Sequence, residues 1–259
     1  MKSFSWLFFA LPAAAQYPVL NDSAWAGPAM QRDSKSTSTP ANFTSASGTL
    51  IVPSLSIPER PKEVADQYSV SFWVGMEGVP ENNAPFARGL WQAGIQGNIY
   101  VNGTKTYIPW YEWIPEDPVR LPASDLVMNE GDHIYINVST ADLGYTGTIV
   151  LTNLNTTQEW TITRPSPVTP RGPTWHAPGW SAEWIAEAAT YGPETMYRKY
   201  ILADFGNATF LDPKVCRTDN VCLGPEGQNT TIWDLVDDKL YSRTSVGKDV
   251  TIEYLEVDL

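Results

Sequence analysis

The chain has 259 residues, 42% of them hydrophobic, which is ample for a folded core. Its net charge is −12, from 29 acidic and 17 basic residues, and no Lys/Arg cluster occurs, which argues against nucleic acid or an anionic membrane surface as a partner. Eleven Trp, twelve Tyr and eight Phe are many for this length, and such a surplus suits a groove that holds an extended polymer. A pI near 4.5 suits an acidic medium but is silent on fold.

Residues 1–15 read as a signal peptide. Lys2 supplies the positive start, Phe4 to Leu11 is an apolar run too short to span a bilayer, and Ala13-Ala14-Ala15 offers a cleavage site. The expected product is a secreted, extracellular chain starting at Gln16, with residues 16–259 forming one domain and no later membrane-length segment. Asp33 to Ser47 is polar and rich in Ser and Thr, a loop or a strand edge. Strand signals then follow at 48–53, 68–77, 90–101, 106–114, 132–140, 146–152, 158–163, 181–188, 199–210 and 249–257, punctuated by Gly, Pro, Asn and Asp. Only Thr231 to Leu240 carries helical spacing, with Ile232, Leu235 and Val236 on one face. Many short strands joined by Pro-rich turns predict an all-β, two-sheet antiparallel sandwich or jelly roll.

Two further features agree with export. Seven N-x-Ser/Thr sequons occur, at Asn21, Asn42, Asn102, Asn137, Asn155, Asn207 and Asn229. The only cysteines, Cys216 and Cys222, are expected to form a disulfide closing a small loop.

Side chains alternate along a strand, so the strands can be read face by face. In 68–77, Val70, Phe72, Val74 and Met76 form one apolar row, opposed by Ser69, Ser71, Trp73, Gly75 and Glu77. Leu90, Gln92, Gly94 and Gln96 share a face, as do Ile108, Trp110 and Glu112, and again Glu183, Ile185 and Glu187. Several strands thus carry one apolar face and one that mixes Trp with Gln and Glu. A solvated face favours Lys, Thr and Glu; Trp beside amides and carboxyls resembles the floor of a binding cleft. The plainer alternative is amphipathic strands with a few exposed rings. His133, Tyr135, Asn137 and Ser139 share a face that the sequon directs to solvent.

The residue supply narrows the chemistry. Of two histidines, His133 sits on that outer face and His176 in a Pro/Gly/Trp-rich loop. There is no G-x-S-x-G elbow, no H-E-x-x-H, no P-loop and no dinucleotide fingerprint, so no nucleophile triad, metal or cofactor is expected. Carboxylate and amide chemistry remains. A Glu can take a proton from water and return it to a leaving group. A Gln side-chain NH₂ can stabilise a developing oxyanion.

Five segments occur in a fixed order: Trp73-Val74-Gly75-Met76-Glu77-Gly78, Leu90-Trp91-Gln92-Ala93-Gly94, Trp110-Tyr111-Glu112-Trp113-Ile114-Pro115, Ala182-Glu183-Trp184-Ile185-Ala186-Glu187 and Ala203-Asp204-Phe205-Gly206. That order resembles the eqolisins, the glutamic peptidases secreted mainly by filamentous fungi. Ser23-Ala24-Trp25-Ala26-Gly27 is similar to the start of the family's mature chain. The resemblance implies a concanavalin-like sandwich, a catalytic glutamine at Gln92 and a catalytic glutamate at Glu187. Trp73 and Glu112 match positions lining and supporting the cleft, and Glu77, Gln96 and Trp110 on the same faces are expected to contribute. Alternation alone does not choose Gln92 over Gln96.

Four positions depart from the family pattern. Glu77 and Gln96 stand where Asp is usual, Ile108 replaces an acid, and Ala188-Ala189 replaces Asp-Phe. These changes thin the carboxylates around the dyad. The stretch from Ala15 to Ser23 also leaves no room for the usual basic pro-segment, which implies either secretion without a zymogen stage or a sequence short at its start. The expected function is an acid-acting endopeptidase, monomeric, with protein or peptide substrates. A non-catalytic glycan- or peptide-binding sandwich is the alternative. A glycoside hydrolase ranks lowest, since the string E-x-D-x-x-E is absent.

Overall fold

The computed structural model describes residues 17–33, 41–79, 89–168, 175–191, 198–226 and 229–259; the expected signal peptide lies outside them. In chain order the strands are β1 (Val19–Asp22), β2 (Trp25–Gln31), β3 (Phe43–Ile51), β4 (Gln67–Met76), β5 (Trp91–Tyr100), β6 (Lys105–Trp113), β7 (Val119–Arg120), β8 (His133–Ala141), β9 (Thr146–Asn153) and β10 (Gln158–Pro165). They continue with β11 (Ser181–Glu187), β12 (Thr190–Tyr191), β13 (Arg198–Lys199), β14 (Ile201–Leu202), β15 (Asn207–Arg217), β16 (Cys222–Leu223), β17 (Thr230–Leu235), β18 (Lys239–Val246) and β19 (Val250–Asp258).

Among the described residues two sheets face each other. The first runs β1-β17-β2-β11-β4-β5-β6-β7, with β14 also on β4; the second runs β10-β9-β8-β3-β15-β19-β18, with β16 on β15. The rows read from alternation supply the interior. Val70, Phe72, Val74 and Met76 of β4 and Trp91, Ala93 and Ile95 of β5 are buried against Ile134, Ile136 and Val138 of β8. Trp184 is fully buried and its indole N–H donates to the Ser47 carbonyl at 2.9 Å, stitching β11 to β3. Each fully buried large apolar side chain contributes roughly 1.5–3 kcal/mol. On β8, His133 is exposed while Tyr135, Asn137 and Ser139 are half-buried, the outward row that the sequon indicates.

The helix expected over Thr231–Leu240 is not there. Thr230–Leu235 is strand β17, held between β1 and β2, and Lys239–Val246 is β18. The spacing of Ile232, Leu235 and Val236 does fit a helix. It is outweighed because Thr230, Thr231 and Ile232 are β-branched and flanking strands offer a full backbone ladder, while an isolated ten-residue helix is marginal. The segment 199–210 is also not one strand: Asp204 turns the chain by accepting the Gly206 N–H at 2.8 Å, and β15 begins only at Asn207. Within the polar stretch, Phe43 to Ser47 opens β3, which is paired on both sides by β8 and β15. Strands β1, β2, β7, β12, β16, β17 and β18 carry no strand expectation from the sequence.

Cys216 and Cys222 are bonded and sit directly opposite each other in the β15–β16 pair. None of the seven sequon asparagines is buried. Reducing the disulfide is expected to destabilise the fold by about 2 kcal/mol, the small end of the range because the loop is short. Urea unfolding with and without reductant measures this; two free thiols by mass spectrometry in intact, unreduced protein would refute the pairing.

Candidate active site

Strands β11, β4, β5 and β6 lie side by side, and their register sets three rows across the face turned away from the second sheet. One row is Glu183, Gly75, Gln92 and Glu112. The next is Ile185, Trp73, Gly94 and Trp110. The third is Glu187, Ser71, Gln96 and Ile108, with Trp25 of β2 beside Glu187. The strand faces that alternation singles out therefore converge on one surface. Trp73, Leu90, Trp110 and Ile185 form a second apolar cluster there, with Trp25 and Ile114 packed on it.

Trp73 is fully buried in the middle row, and its neighbours explain the glycines of the motifs. A Cβ on Gly94 would lie 1.9 Å from the Phe72 carbonyl oxygen and 2.7 Å from Trp73 Cα; one on Gly75 would lie 2.8 Å from the Trp73 ring. With both absent, the indole fits, meets Trp25 edge-on at 5.1 Å and donates its N–H to Glu187 Oε2 at 2.7 Å. An N–H to a carboxylate is a charge-assisted bond, of the kind that contributes about 1.5–3 kcal/mol. It fixes the direction in which Glu187 presents its other oxygen.

The two glutamines differ in what remains free. Gln96 uses its amide fully: Nε2 donates to Ser69 Oγ at 3.1 Å and Asn98 Oδ1 at 3.0 Å, and Oε1 accepts from Arg120 at 3.0 Å. Gln92, only 4% exposed, donates from Nε2 to Glu112 Oε2 at 2.5 Å, and its Oε1 has no partner among the described residues. The amide with spare bonding capacity is thus Gln92. Ile108 of β6 faces Gln96 of β5, so the two positions in the row of Glu187 at which the resemblance leads one to expect acids hold an amide and an alkyl group, with Arg120 bonded to that amide. Ala188 and Ala189 are buried beyond the strand end.

The carboxyls of this face lie in different surroundings. Burial raises Glu112 to about 7, and the nearby charges of Glu187 and Asp117 push the same way, against the Gln92 hydrogen bond. Glu183 is fully buried, and among the described residues neither of its oxygens makes a full hydrogen bond. Burial lifts it well above the carboxylate range, with Glu77 adding to the rise; nearby Ser181 and Val79 N–H only moderate it. Glu77, buried at φ 67°, accepts the Gly179 and Trp180 N–H groups at 2.8 and 2.7 Å. It anchors the loop that enters β11.

Sequence reasoning did not place Trp25 on this face and assigned Glu183, which alternation does place there, no role. Trp25 lay in a quoted segment but could not be placed without the β2–β11 pairing. Glu183 had the right alternation, and only the structure reveals how deeply it is buried. His176 stacks on Tyr145 at 4.7 Å, a loop contact.

The fold and the family together define a peptidase. The sequence matches the Peptidase A4 family over residues 23–254, and the chain belongs to that family. It is therefore a peptide hydrolase of the glutamic peptidase kind, as the ordered motifs led us to expect. The structure is similar to that of scytalido-glutamic peptidase crystallised with a transition-state analogue inhibitor, with TM-score 0.69 and 22% identity over 90% of this chain and 99% of that one. Weaker likenesses include tailspike protein 2 of bacteriophage CBA120, at TM-score 0.33 and 11% identity over 81% of this chain and 31% of that one. Basic winged bean lectin follows at TM-score 0.30 and 12% identity, over 70% of this chain and 76% of that one. Comparison with curated proteins found no match.

A carboxyl whose native pKa is raised binds its proton more tightly folded than unfolded. Its stabilisation is whole below the ordinary Glu value of about 4.3 and is lost as pH rises through the native value. The melting temperature is therefore expected to fall as pH rises above about 4.3, and Glu183→Gln should make that fall shallower. Thermal melts by circular dichroism from acid to neutral pH test this; an unchanged slope would remove Glu183 as a source.

Proposed function

We propose that this peptidase is a secreted endopeptidase that works at acid pH by direct attack of water, with Glu187 and Gln92 as the catalytic pair. The carrying observation is that Glu187 is held by the Trp73 indole on the same face as the one glutamine whose amide is not saturated. Glu187 as carboxylate takes a proton from a water molecule whose oxygen adds to the scissile carbonyl carbon. The carbonyl oxygen becomes an oxyanion, which the Gln92 NH₂ stabilises. Glu187 then gives its proton to the amide nitrogen as the C–N bond breaks, leaving an acid, an amine and Glu187 ionised again. Trp110, Trp25 and Ile185 form apolar walls suited to an extended peptide. Secretion is supported by the leader-like residues 1–15, the disulfide and the unburied sequons. The chain acts as a monomer, and the reaction needs no metal.

Cleavage of a denatured protein over a pH series, with pepstatin present to suppress aspartic peptidases, tests the activity. Chelation with EDTA should leave it intact. Glu187→Gln should abolish cleavage with the fold retained, and Gln92→Ala should slow it by a factor of about 10²–10³, as for loss of one preorganised oxyanion donor. Gln96→Ala removes a chemically identical amide and should cost far less. If Gln96→Ala is the damaging change, the pair is misassigned. If none of the three matters, the face is a binding surface for peptide or glycan.

A further inference from the structure

The row that holds Ile185, Trp73, Gly94 and Trp110 ends on a cation. Arg120 of β7 stands opposite Trp110, and its Nη2 donates to Gln96 Oε1 at 3.0 Å, so the side chain lies over the face that carries Glu187 and Gln92. Arg120 is exposed, whereas the amide it bonds is buried. That amide is locked in one orientation. Its Nε2 is taken by Ser69 Oγ and Asn98 Oδ1, and Asn98 is itself held by Gln67 and Thr106. Gln96 therefore meets Arg120 with its carbonyl end, which positions the guanidinium without neutralising it.

The charge is left over. Arg60, Lys62, Lys105, Arg164, Lys214 and Arg217 each face a carboxylate. Arg120 has none within ion-pairing distance among the described residues, and of the acids in the turn before it Glu116 pairs with Arg164. Arg243 and Lys248 also lack a carboxylate, but they belong to β18 and the turn after it, in the second sheet. A guanidinium presents a planar fork of N–H donors that matches a carboxylate, and one donor is used here. A carboxylate at position 96 would occupy and cancel that fork. An amide holds it by one bond and leaves its charge for a partner from outside.

We propose that Arg120 is a specificity-determining residue, whose guanidinium receives a carboxylate of the substrate peptide a few residues from the bond that is cut. This rests on the roles given to Glu187 and Gln92 above. The spacing follows from the sheet. Gln96 lies in the row of Glu187, two strands away. Two strand spacings are about 10 Å, which an extended peptide covers in about three residues. A chain laid along the apolar floor from Glu187 towards Trp110 thus brings a side chain, or its own C-terminus, to the guanidinium. Both sources offer the same carboxylate chemistry.

The test is competition between blocked peptides that differ only in Glu against Gln, stepped along both sides of the cut bond, at a pH of about 5 where a free Glu is mostly ionised. At one position the wild type should favour Glu by about three- to tenfold in kcat/KM, between an exposed ion pair and a charge-assisted hydrogen bond. The ratio cancels the enzyme's own titrations. At a pH of about 3 the peptide Glu is neutral, and the preference should vanish. If no internal Glu is favoured, peptides ending at that distance are compared as free acid and amide. A preference for the free acid identifies the C-terminus as the source; no preference in either set overturns the proposal. Arg120→Gln should remove the preference. Gln96→Glu should remove it too, by placing an anion against a guanidinium that is still there. A merely structural Arg120 would slow both peptides alike and leave their ratio unchanged, which also sinks the idea. Should Arg120→Gln fail to fold, Gln96→Glu and the pH dependence of the wild-type ratio decide. Glu187→Gln separates the two levels of inference. If it cleaves at the wild-type rate, the site itself is misplaced; if it is inactive while the wild type shows no preference, only the Arg120 subsite fails.

Discussion

An indole ring lying across two glycines determines where Glu187 stands. Trp73 fills the middle row of the face, and backbone and ring atoms close to Gly94 and Gly75 leave no room for a Cβ at either position. Its N–H then reaches Glu187 two strand-positions along on the neighbouring strand. Packing and hydrogen bonding are coupled here. A residue added at Gly94 would displace backbone, and a smaller ring at Trp73 would release the carboxylate. The same ring separates the Gln92 row from the Gln96 row and forms the apolar floor between them with Trp110 and Ile185.

That floor sets the electrostatics. Carboxyls surrounded by Trp, Ile and Leu lose hydration, and the charged form is disfavoured unless donors replace the water. Glu77 has such donors in two backbone N–H groups. Glu183 has none in full, and burial pushes it well above the usual carboxylate range, while Glu112 sits between these cases with one amide donor. One sheet face thus carries acids in unlike environments, the usual basis for dividing acid and base roles.

Much of this was legible in the sequence because β-strand alternation is strict. The rows of β4, β5, β6 and β11 emerged with correct inner and outer faces, and the sandwich followed from them. What escaped depends on neighbours. Thr231–Leu240 has an apolar spacing that suits a helix, and only the presence of β1 and β2 makes it a strand. Trp25 enters the face through a pairing between segments about 160 residues apart, and no local pattern encodes that. Gln92 and Gln96 have the same parity and the same chemistry, and their difference lies wholly in the partners Ser69, Asn98, Arg120 and Glu112.

Those partners also bear on the missing acids. Gln96 and Ile108 both lie in the row of Glu187, so each acid absent there is one fewer like charge beside the proposed base. Like charges held close in a dry site cannot all ionise, and their titrations merge into properties of the group. With that row neutral, the acid whose charge meets that of Glu187 is Glu112 in the Gln92 row. A proton on Glu112 removes a negative charge that opposes ionisation of Glu187. Under the proposed mechanism the thinner carboxylate set therefore concentrates the pH response in a single pair, where a fuller set would spread it over several acids.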